Sequence, residues 1–157
     1  MRITAQTAFI IFVIDQLSKW VVVHAFNLRS VGEINVFPPF LVFRMAWNTG
    51  INFGLFSEYA VMLRWGWVAL AVVMSIWVLT WVRRENFGFV GKLSAGLLVG
   101  GALGNAIDRI LYGAVADFLN MSCCGFANPY SFNVADIAIF AGAFGLILFT
   151  GETQKRA

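Results

Sequence analysis

The sequence of 157 residues contains little charge. Asp, Glu, Lys and Arg make up 12% of the chain, about half of what a soluble domain carries, whereas hydrophobic residues make up 60%. The mean hydropathy is +0.79. This composition excludes an ordinary soluble domain and predicts a protein that crosses the membrane several times. The net charge of +3 comes without a run of basic residues, so we expect no nucleic-acid partner.

Histidine and cysteine are almost absent, which limits the available chemistry. His24 is the only histidine, and a zinc-protease site of the H-E-x-x-H type needs two imidazoles one helical turn apart. The only cysteines, Cys123 and Cys124, are adjacent, a spacing that suits neither a metal site nor a disulfide framework. We therefore expect no metal and no cofactor, and we interpret the cysteine pair as loop residues.

Four apolar runs predict membrane-spanning helices, since a hydrocarbon core about 30 Å thick needs about 20 helical residues. The first run is too long for the apolar core of a cleaved signal peptide and contains charged side chains, so we interpret it as a span. The predicted fold is a membrane all-α protein, a four-transmembrane-helix bundle in one integral membrane domain over residues 1–157. The predicted spans are approximately 7–26, 59–82, 93–110 and 134–150. The second carries the interfacial aromatics Trp65, Trp67, Trp77 and Trp81.

The segments 27–58 and 112–132 connect the spans on one side and are predicted to lie outside the membrane. In the first segment, the stretches 31–37 and 41–47 are rich in Val, Phe and Ile and are separated by two consecutive prolines. These stretches predict a small extracytoplasmic β-sheet. We interpret the second segment as an outer loop.

Basic residues predict the orientation of the chain. Arg2, the basic group within 83–92 and the pair at 155–156 all lie on one side of the predicted spans, which the positive-inside rule assigns to the cytoplasm. Three arginines on the opposite side weaken this contrast without reversing it. Both termini are therefore expected in the cytoplasm, with the two outer segments across the membrane.

Two patterns predict contacts between or within the spans. Gly96, Gly100 and Gly104 recur every four residues, which places them on one helical face and allows another helix to approach closely. Asp15 and Lys19 are four residues apart in the first span, which favours a structural ion pair. We prefer this role to catalysis because a paired carboxylate within a span is already compensated.

Asp117 and Asp136 are the aspartates that these patterns leave unexplained. Asp108 has a basic neighbour in Arg109, whereas the other two have none, and an ionisable side chain at a membrane span indicates a functional site. Asp117 follows the third predicted span and Asp136 begins the fourth, so both are expected at the outer face. Two close carboxylates do not both ionise readily. Aspartic proteases use this arrangement: one acid takes a proton from water and the other polarises the scissile carbonyl.

Polar residues near the two acids admit a functional or a structural interpretation. Asn105 and Arg109 can donate hydrogen bonds to a substrate carbonyl or to a phospholipid-like group, or they can cap and pair at the helix end. Asn133 precedes Asp136 by three residues, which is the spacing of a helix N-cap. Both interpretations remain open for each residue.

Two other functions fit parts of the sequence. A small proton-coupled membrane carrier also uses acids within the membrane. Such a carrier is expected to place them near the midplane and to show an internal repeat, and no repeat is visible in this sequence. A non-catalytic assembly scaffold would explain the glycine face but not the two acids.

Five motifs, in order along nearly the whole chain, resemble the lipoprotein signal peptidases, the bacterial signal peptidase II family. They are D-Q-L-S-K at 15–19, N-T-G at 48–50, G-G-A-L-G-N-A-I-D-R at 100–109, G-A-V-A-D-F at 113–118 and F-N-V-A-D at 132–136. The resemblance implies an intramembrane aspartic endopeptidase. Such an enzyme removes the signal peptide from prolipoproteins by cleaving before the diacylglyceryl-modified cysteine.

The resemblance also implies a role for each matching residue. The catalytic dyad is formed by Asp117 and Asp136. The substrate-binding positions are Asn48, Gly50, Asn105, Arg109 and Asn133. The structural support comes from Asp15, Lys19 and Asp108.

The implied partners are a lipid-modified prolipoprotein and membrane phospholipid. The implied location is the bacterial inner membrane, with a multi-pass monomer whose active site lies at the periplasmic face. The chain departs from the family pattern at Ile51, Asn52 and Ile137, where smaller residues are frequent. These departures bear on the shape of the substrate cleft and not on the dyad.

From the distribution of basic residues we predict that Cys123 and Cys124 face the periplasm. A membrane-impermeant thiol reagent should therefore label them in intact spheroplasts. Labelling of denatured protein in parallel shows whether both thiols are free to react. If labelling requires permeabilised membranes, the predicted orientation is reversed.

Overall fold

The computed structural model describes residues 1–50 and 60–149 of the chain. Helices form most of it, and three short strands form a sheet. The first helix continues into a π-helical turn, Trp20–Ala25. The other elements, in chain order, are α1 (Arg2–Lys19), α2 (Leu28–Val31), β1 (Glu33–Phe37), β2 (Leu41–Asn48), α3 (Ala60–Arg84), α4 (Phe89–Tyr112), β3 (Val115–Asn120) and α5 (Val134–Phe149).

Three helices in the described part of the chain are long and apolar enough to cross a membrane. They are Arg2–Ala25, Val61–Arg84 and Phe89–Tyr112. They correspond to the first three predicted spans, although the first begins at Arg2 instead of residue 7. The helix α5 is apolar but has 16 residues, about 24 Å of helix. It corresponds to the predicted span 134–150, whose last residue lies outside the described residues, and the count of four spans stays a prediction.

The sheet has three antiparallel strands in the order β1-β2-β3. Strands β1 and β2 confirm the two β-prone stretches, but Val31 ends α2 instead of beginning β1. The strand β3 corrects the prediction of a loop over 112–132. Most of its residues are buried on both faces, so it lacks the alternation of apolar and polar residues that marks a half-exposed strand. The extracytoplasmic location of the sheet stays a prediction.

The turn between α4 and β3 brings Asp117 beside β2. Gly113 ends α4 with φ at +83°, a left-handed conformation that glycine adopts without steric cost. The chain then pairs with β2, so that Asp117 lies opposite Ala46 and Val115 lies opposite Asn48. The strands β2 and β3, which lie far apart in the sequence, are thereby aligned beside the end of α4.

The helix α4 is central and contacts α1, α3 and α5. On the side of α1, a Cβ at Gly100 would lie 2.5 Å from the backbone oxygen of Ala8. Gly96 also faces α1. On the side of α5, a Cβ at Gly101 would lie 2.5 Å from the backbone oxygen of Ala135. The predicted glycine face is confirmed, and a second close contact joins α4 to α5.

Apolar and polar residues occupy different levels along α4. One buried apolar cluster joins α3, α4 and α5 and consists of Val78, Val82, Phe87, Ala95, Val99 and Leu146. Another joins the first helix to the sheet and consists of Val22, Leu28 and Phe118. Between Val99 and the sheet, α4 buries Asn105 and Asp108, which face a polar part of α1. The candidate site lies at this level.

We predict that Gly100→Ala destabilises the protein, because the added Cβ overlaps the backbone of α1. Overpacking of this kind costs about 1–3 kcal/mol. Gly66→Ala in α3 is the matched control, since a Cβ there would meet no atom of the other described elements within 4 Å. Thermal unfolding in detergent should show a lower midpoint for Gly100→Ala and an unchanged or higher midpoint for Gly66→Ala. Equal midpoints for the two variants would contradict the close contact of α1 and α4.

Candidate active site

Lys19 lies at the centre of a buried ion cluster between α1 and α4. Its Nζ donates to Asp15 Oδ2 at 2.8 Å and to Asp108 Oδ2 at 2.7 Å. A third bond, 3.2 Å long, reaches Asn105 Oδ1. The predicted Asp15–Lys19 pair is confirmed. Asp108 pairs with Lys19 rather than with its neighbour Arg109, because adjacent residues point to different sides of a helix.

Amide donors complete this cluster. Asp15 Oδ1 accepts a hydrogen bond from the backbone N–H of Ala135 in α5, at 2.9 Å. Asp108 Oδ2 accepts one from the backbone N–H of Ala116 in β3, at 3.2 Å. Gln16 Nε2 donates to both carboxylates, at 3.1 and 3.0 Å. The cluster therefore connects α1, α4, α5 and β3, which is what a supporting role for these residues requires.

Asp117 lies in β3 with 2% of its surface exposed. Its Oδ2 accepts a hydrogen bond from Asn48 Nδ2 at 3.0 Å, and its Oδ1 accepts one from Asn133 Nδ2 at 2.6 Å. Burial and then the negative charge of Asp136 raise the pKa of Asp117 from 3.8 to about 6, although the two amide donors act in the opposite direction. Asp117 therefore keeps its proton to a higher pH than an ordinary aspartate.

Asp136 and Asn133 form the start of α5. The N–H of Asp136 donates to Asn133 Oδ1 at 2.9 Å, and the N–H of Asn133 donates to Asp136 Oδ2 at 3.2 Å. This reciprocal geometry is that of a capping box, so the predicted N-cap is present. Because Asn133 Nδ2 also donates to Asp117, the cap joins the two acids.

Asn105 links the ion cluster to Asp136. Its Nδ2 donates to Asp136 Oδ1 at 2.8 Å. Its Oδ1 accepts hydrogen bonds from Lys19 Nζ and from Asn133 Nδ2, the latter at 3.2 Å. Since the amide oxygen faces two donors and the amide nitrogen faces a carboxyl group, the orientation of the Asn105 side chain is fixed. The two acids are thus connected by neutral amides.

The two acids face different openings. Asp117 lines a polar cleft of about 430 Å³, and Asp136 lies at an apolar groove of about 570 Å³ along α5. The wall of the cleft includes Asn48, Gly50, Trp67, Arg109 and Tyr130. The wall of the groove includes Phe132, Ile137, Phe140 and Phe144.

Gly50 and Arg109 bring polar groups to the cleft. Gly50 has φ at +80°, and its N–H donates to Asn48 Oδ1 at 2.8 Å. Arg109 Nη1 donates to the backbone oxygen of Asn105 at 3.2 Å, and its positive charge interacts with both acids of the dyad. The Arg109 Nε has no hydrogen-bond partner among the described residues. The Nε atom is buried, and the guanidinium as a whole lines the cleft.

The structure brings together all the residues that the resemblance assigns to the site. Trp67 is an addition to that set, because the sequence indicated only an interfacial aromatic. Of the three departures from the family pattern, Ile137 lines the apolar groove, and Ile51 and Asn52 lie outside the described residues. Within 1–50 and 60–149, no three side chains of His, Cys, Asp or Glu are grouped to bind a metal ion.

Related proteins share both the sequence and the fold. The family model described as signal peptidase (SPase) II matches residues 7–151. A lipoprotein signal peptidase of Methylobacterium sp. strain 4-46 is 37% identical over 150 residues, which cover 96% of this chain and 89% of that protein. A lipoprotein signal peptidase of Methylobacterium radiotolerans is 48% identical over 110 residues, which cover 70% of this chain and 63% of that protein.

Two solved structures of bacterial membrane enzymes have the same fold. One has a TM-score of 0.78 and 25% identity, and the match covers 92% of this chain and 90% of that one. The other has a TM-score of 0.74 and 24% identity, with 98% and 91% covered. The matched segment 7–151 contains the ion cluster, the three asparagines and both acids. Because sequence and fold agree over almost the whole chain, the protein belongs to the signal peptidase II family.

Proposed function

We propose that the chain is an intramembrane aspartic endopeptidase that cleaves prolipoproteins before the diacylglyceryl-modified cysteine. Membership of the signal peptidase II family supports the removal of signal peptides from prolipoproteins. The observation that supports the aspartic mechanism is that Asn133 donates to both acids. Its Nδ2 lies 2.6 Å from Asp117 Oδ1, and its backbone N–H lies 3.2 Å from Asp136 Oδ2.

The two acids have different roles in this mechanism. Asp117, with its raised pKa, holds a proton and donates it as a hydrogen bond to the scissile carbonyl. Asp136 takes a proton from the attacking water. When the tetrahedral intermediate collapses, the proton passes to the leaving amine and the two roles are exchanged. Substrate in the cleft removes further water from Asp117, which favours its protonated form.

The two openings suit the two parts of a lipid-modified substrate. The polar cleft offers Asn48, Gly50 and Arg109 to the peptide backbone, while Asn105 and Asn133 hold the acids in place. The guanidinium of Arg109, which lines the cleft, suits a carbonyl or phosphate oxygen. The apolar groove, which begins at Asp136, suits an acyl chain of the diacylglyceryl group or of a membrane phospholipid.

The location of the protein follows from the same proposal. The several apolar helices and the family make it a multi-pass membrane protein. We place it in the bacterial inner membrane as a single domain over 1–157, with α5 as a fourth span and both termini in the cytoplasm. The sheet and the dyad then lie at the periplasmic face. A monomer contains all the residues of the proposed site.

We predict that Asp117→Asn and Asp136→Asn each abolish cleavage of a lipid-modified prolipoprotein and leave membrane insertion intact. An amide keeps the size of the carboxyl group but cannot transfer the proton. The loss of kcat should be at least about 1,000-fold, and the double variant should be hardly worse than either single one, as in other catalytic sets that act as a unit. Purified protein in detergent, assayed by the size shift of the substrate, gives the measurement.

Glu33→Gln is the matched control for the dyad variants. The same change then falls on a surface acid that pairs with Arg44 at 2.8 Å, away from the cleft. This variant should cleave at the wild-type rate. Near-normal cleavage by either dyad variant, at equal folded yield, would remove that acid from the mechanism.

The raised pKa of Asp117 predicts a pH dependence. Because the pKa is about 6 when folded and 3.8 in the ordinary state, the folded protein binds more protons between these values. The free energy of unfolding therefore falls as pH rises through this window, and Asp117→Asn should lack this part of the decrease. The wild-type kcat/KM should also fall on the alkaline side of about pH 6, as the protonated form is lost. The measurement is the free energy of unfolding of wild type and Asp117→Asn between pH 4 and 7. If it changes with pH by the same amount in both proteins, the raised pKa does not belong to Asp117.

A further inference from the structure

Trp67, in α3, contacts two residues of the proposed site. A Cβ at Gly50 would overlap its indole ring, 3.0 Å from Cδ1 and Cε2, so the ring lies directly against the Gly50 backbone. The guanidinium carbon of Arg109 lies 5.7 Å from the ring centroid, within the range of a cation–π interaction. All three residues line the polar cleft beside Asp117.

The contact with Gly50 leads to Asp117 through two hydrogen bonds. The N–H of Gly50 donates to Asn48 Oδ1, and the amide of Asn48 is thereby turned so that its Nδ2 donates to Asp117 Oδ2. The indole ring lies against the Gly50 backbone and limits its movement towards α3. The position of the indole ring therefore helps to fix the orientation of the Asn48 side chain.

The contact with Arg109 restricts a side chain that has few other bonds. Of its donors, Nη1 bonds to the backbone oxygen of Asn105, whereas Nε has no partner in the part of the chain that the structure describes. A long side chain with one such bond can adopt several rotamers. The flat indole face limits this freedom, since a guanidinium stacks on an aromatic ring.

We infer that Trp67 is a positioning residue, which keeps the Arg109 guanidinium in the cleft and Asn48 directed at Asp117. This inference rests on the proposed function, since it assigns Trp67 to the cleavage of the same substrate. Trp67 acts through Arg109 and Gly50 and needs no contact with the reacting atoms. Its loss therefore weakens substrate binding more than it slows the chemical step.

The test compares three variants in the cleavage assay with lipid-modified prolipoprotein. Trp67→Leu should lower kcat/KM about tenfold, mainly through a higher KM, which is the order of a partly buried cation–π contact. Trp67→Phe keeps an aromatic face for Arg109 and should stay within about threefold of wild type. Trp65→Leu is the matched control: the Arg64 guanidinium lies 5.3 Å from the Trp65 ring, but this pair is not part of the cleft wall. It should leave kcat/KM unchanged.

A second arm tests whether Trp67 acts through Arg109. In an Arg109→Gln background, Trp67→Leu should lower kcat/KM by less than about threefold, because residues in one network are not additive. A full tenfold loss in both backgrounds would overturn the part of the role that runs through Arg109. The role would also be overturned if Trp67→Leu has a lower melting temperature but a normal kcat/KM per folded molecule. That result would mean that Trp67 contributes to packing and not to the site. If Trp67→Leu does not accumulate, Trp67→Met replaces it with the same expectations. The role then requires a lower kcat/KM in Trp67→Met than in Trp67→Phe.

The outcomes separate this role from the proposed function. If wild-type protein fails to cleave the substrate, or if Asp117→Asn cleaves it normally, the proposed function is wrong. A second result is that wild type cleaves, both dyad variants are inactive, and Trp67→Leu has the wild-type kcat/KM. In that case the proposed function stands and only the role of Trp67 is wrong.

Discussion

The buried ammonium of Lys19 is the interaction on which the rest of the structure depends. Two carboxylates, of Asp15 and Asp108, are almost completely buried beside it, and an uncompensated charge in such a place costs several kcal/mol. One ammonium cannot neutralise both, so the acids also need amide donors. Those donors include the N–H groups of Ala135 and Ala116, which belong to the elements that carry the dyad. The requirement to satisfy these charges therefore fixes α5 and β3 relative to α1 and α4.

Neutral amides surround the dyad, while the ammonium stays one residue away from it. Asn48, Asn105 and Asn133 donate to the two acids. Among the described residues, the hydrogen bonds of Lys19 lead to the acids through Asn105. A cation bonded directly to each acid would favour ionisation of both. An amide positions a carboxyl group with a smaller bias towards the charged form. The raised pKa of Asp117 indicates that burial outweighs these donors, and a proton is then available to the pair.

Patterns with a short repeat were predictable from the sequence, and contacts between distant segments were not. The glycine spacing predicted the close approach of a helix to α4, and the spacing of Asp15 and Lys19 predicted their pair, because helical geometry determines both. The partner of Asp108 lies 89 positions away in sequence, on α1, and no local pattern identifies it. The strand β3 was not predicted, because its burial on both faces removes the alternation of apolar and polar residues that identifies a strand. The position of Trp67 in the cleft was not predicted, because an aromatic residue near the end of a span is already explained as a membrane anchor.

The separation of the two acids is fixed by the main chain as well as by side chains. Asp117 belongs to a strand and Asp136 to the start of a helix, so their relative position depends on how the chain before α5 meets β3. Phe132 and Leu119 exchange backbone hydrogen bonds of 2.8 and 2.9 Å there, and Phe118 adds a bond of 3.0 Å to the Phe132 oxygen. Asn133 follows directly and reaches both acids. Because these backbone bonds do not depend on side-chain identity, we expect an amide at 117 or 136 to leave this pairing in place. The new –NH2 group then meets one of the two donors that face each acid, so the change is confined to the side-chain bonds.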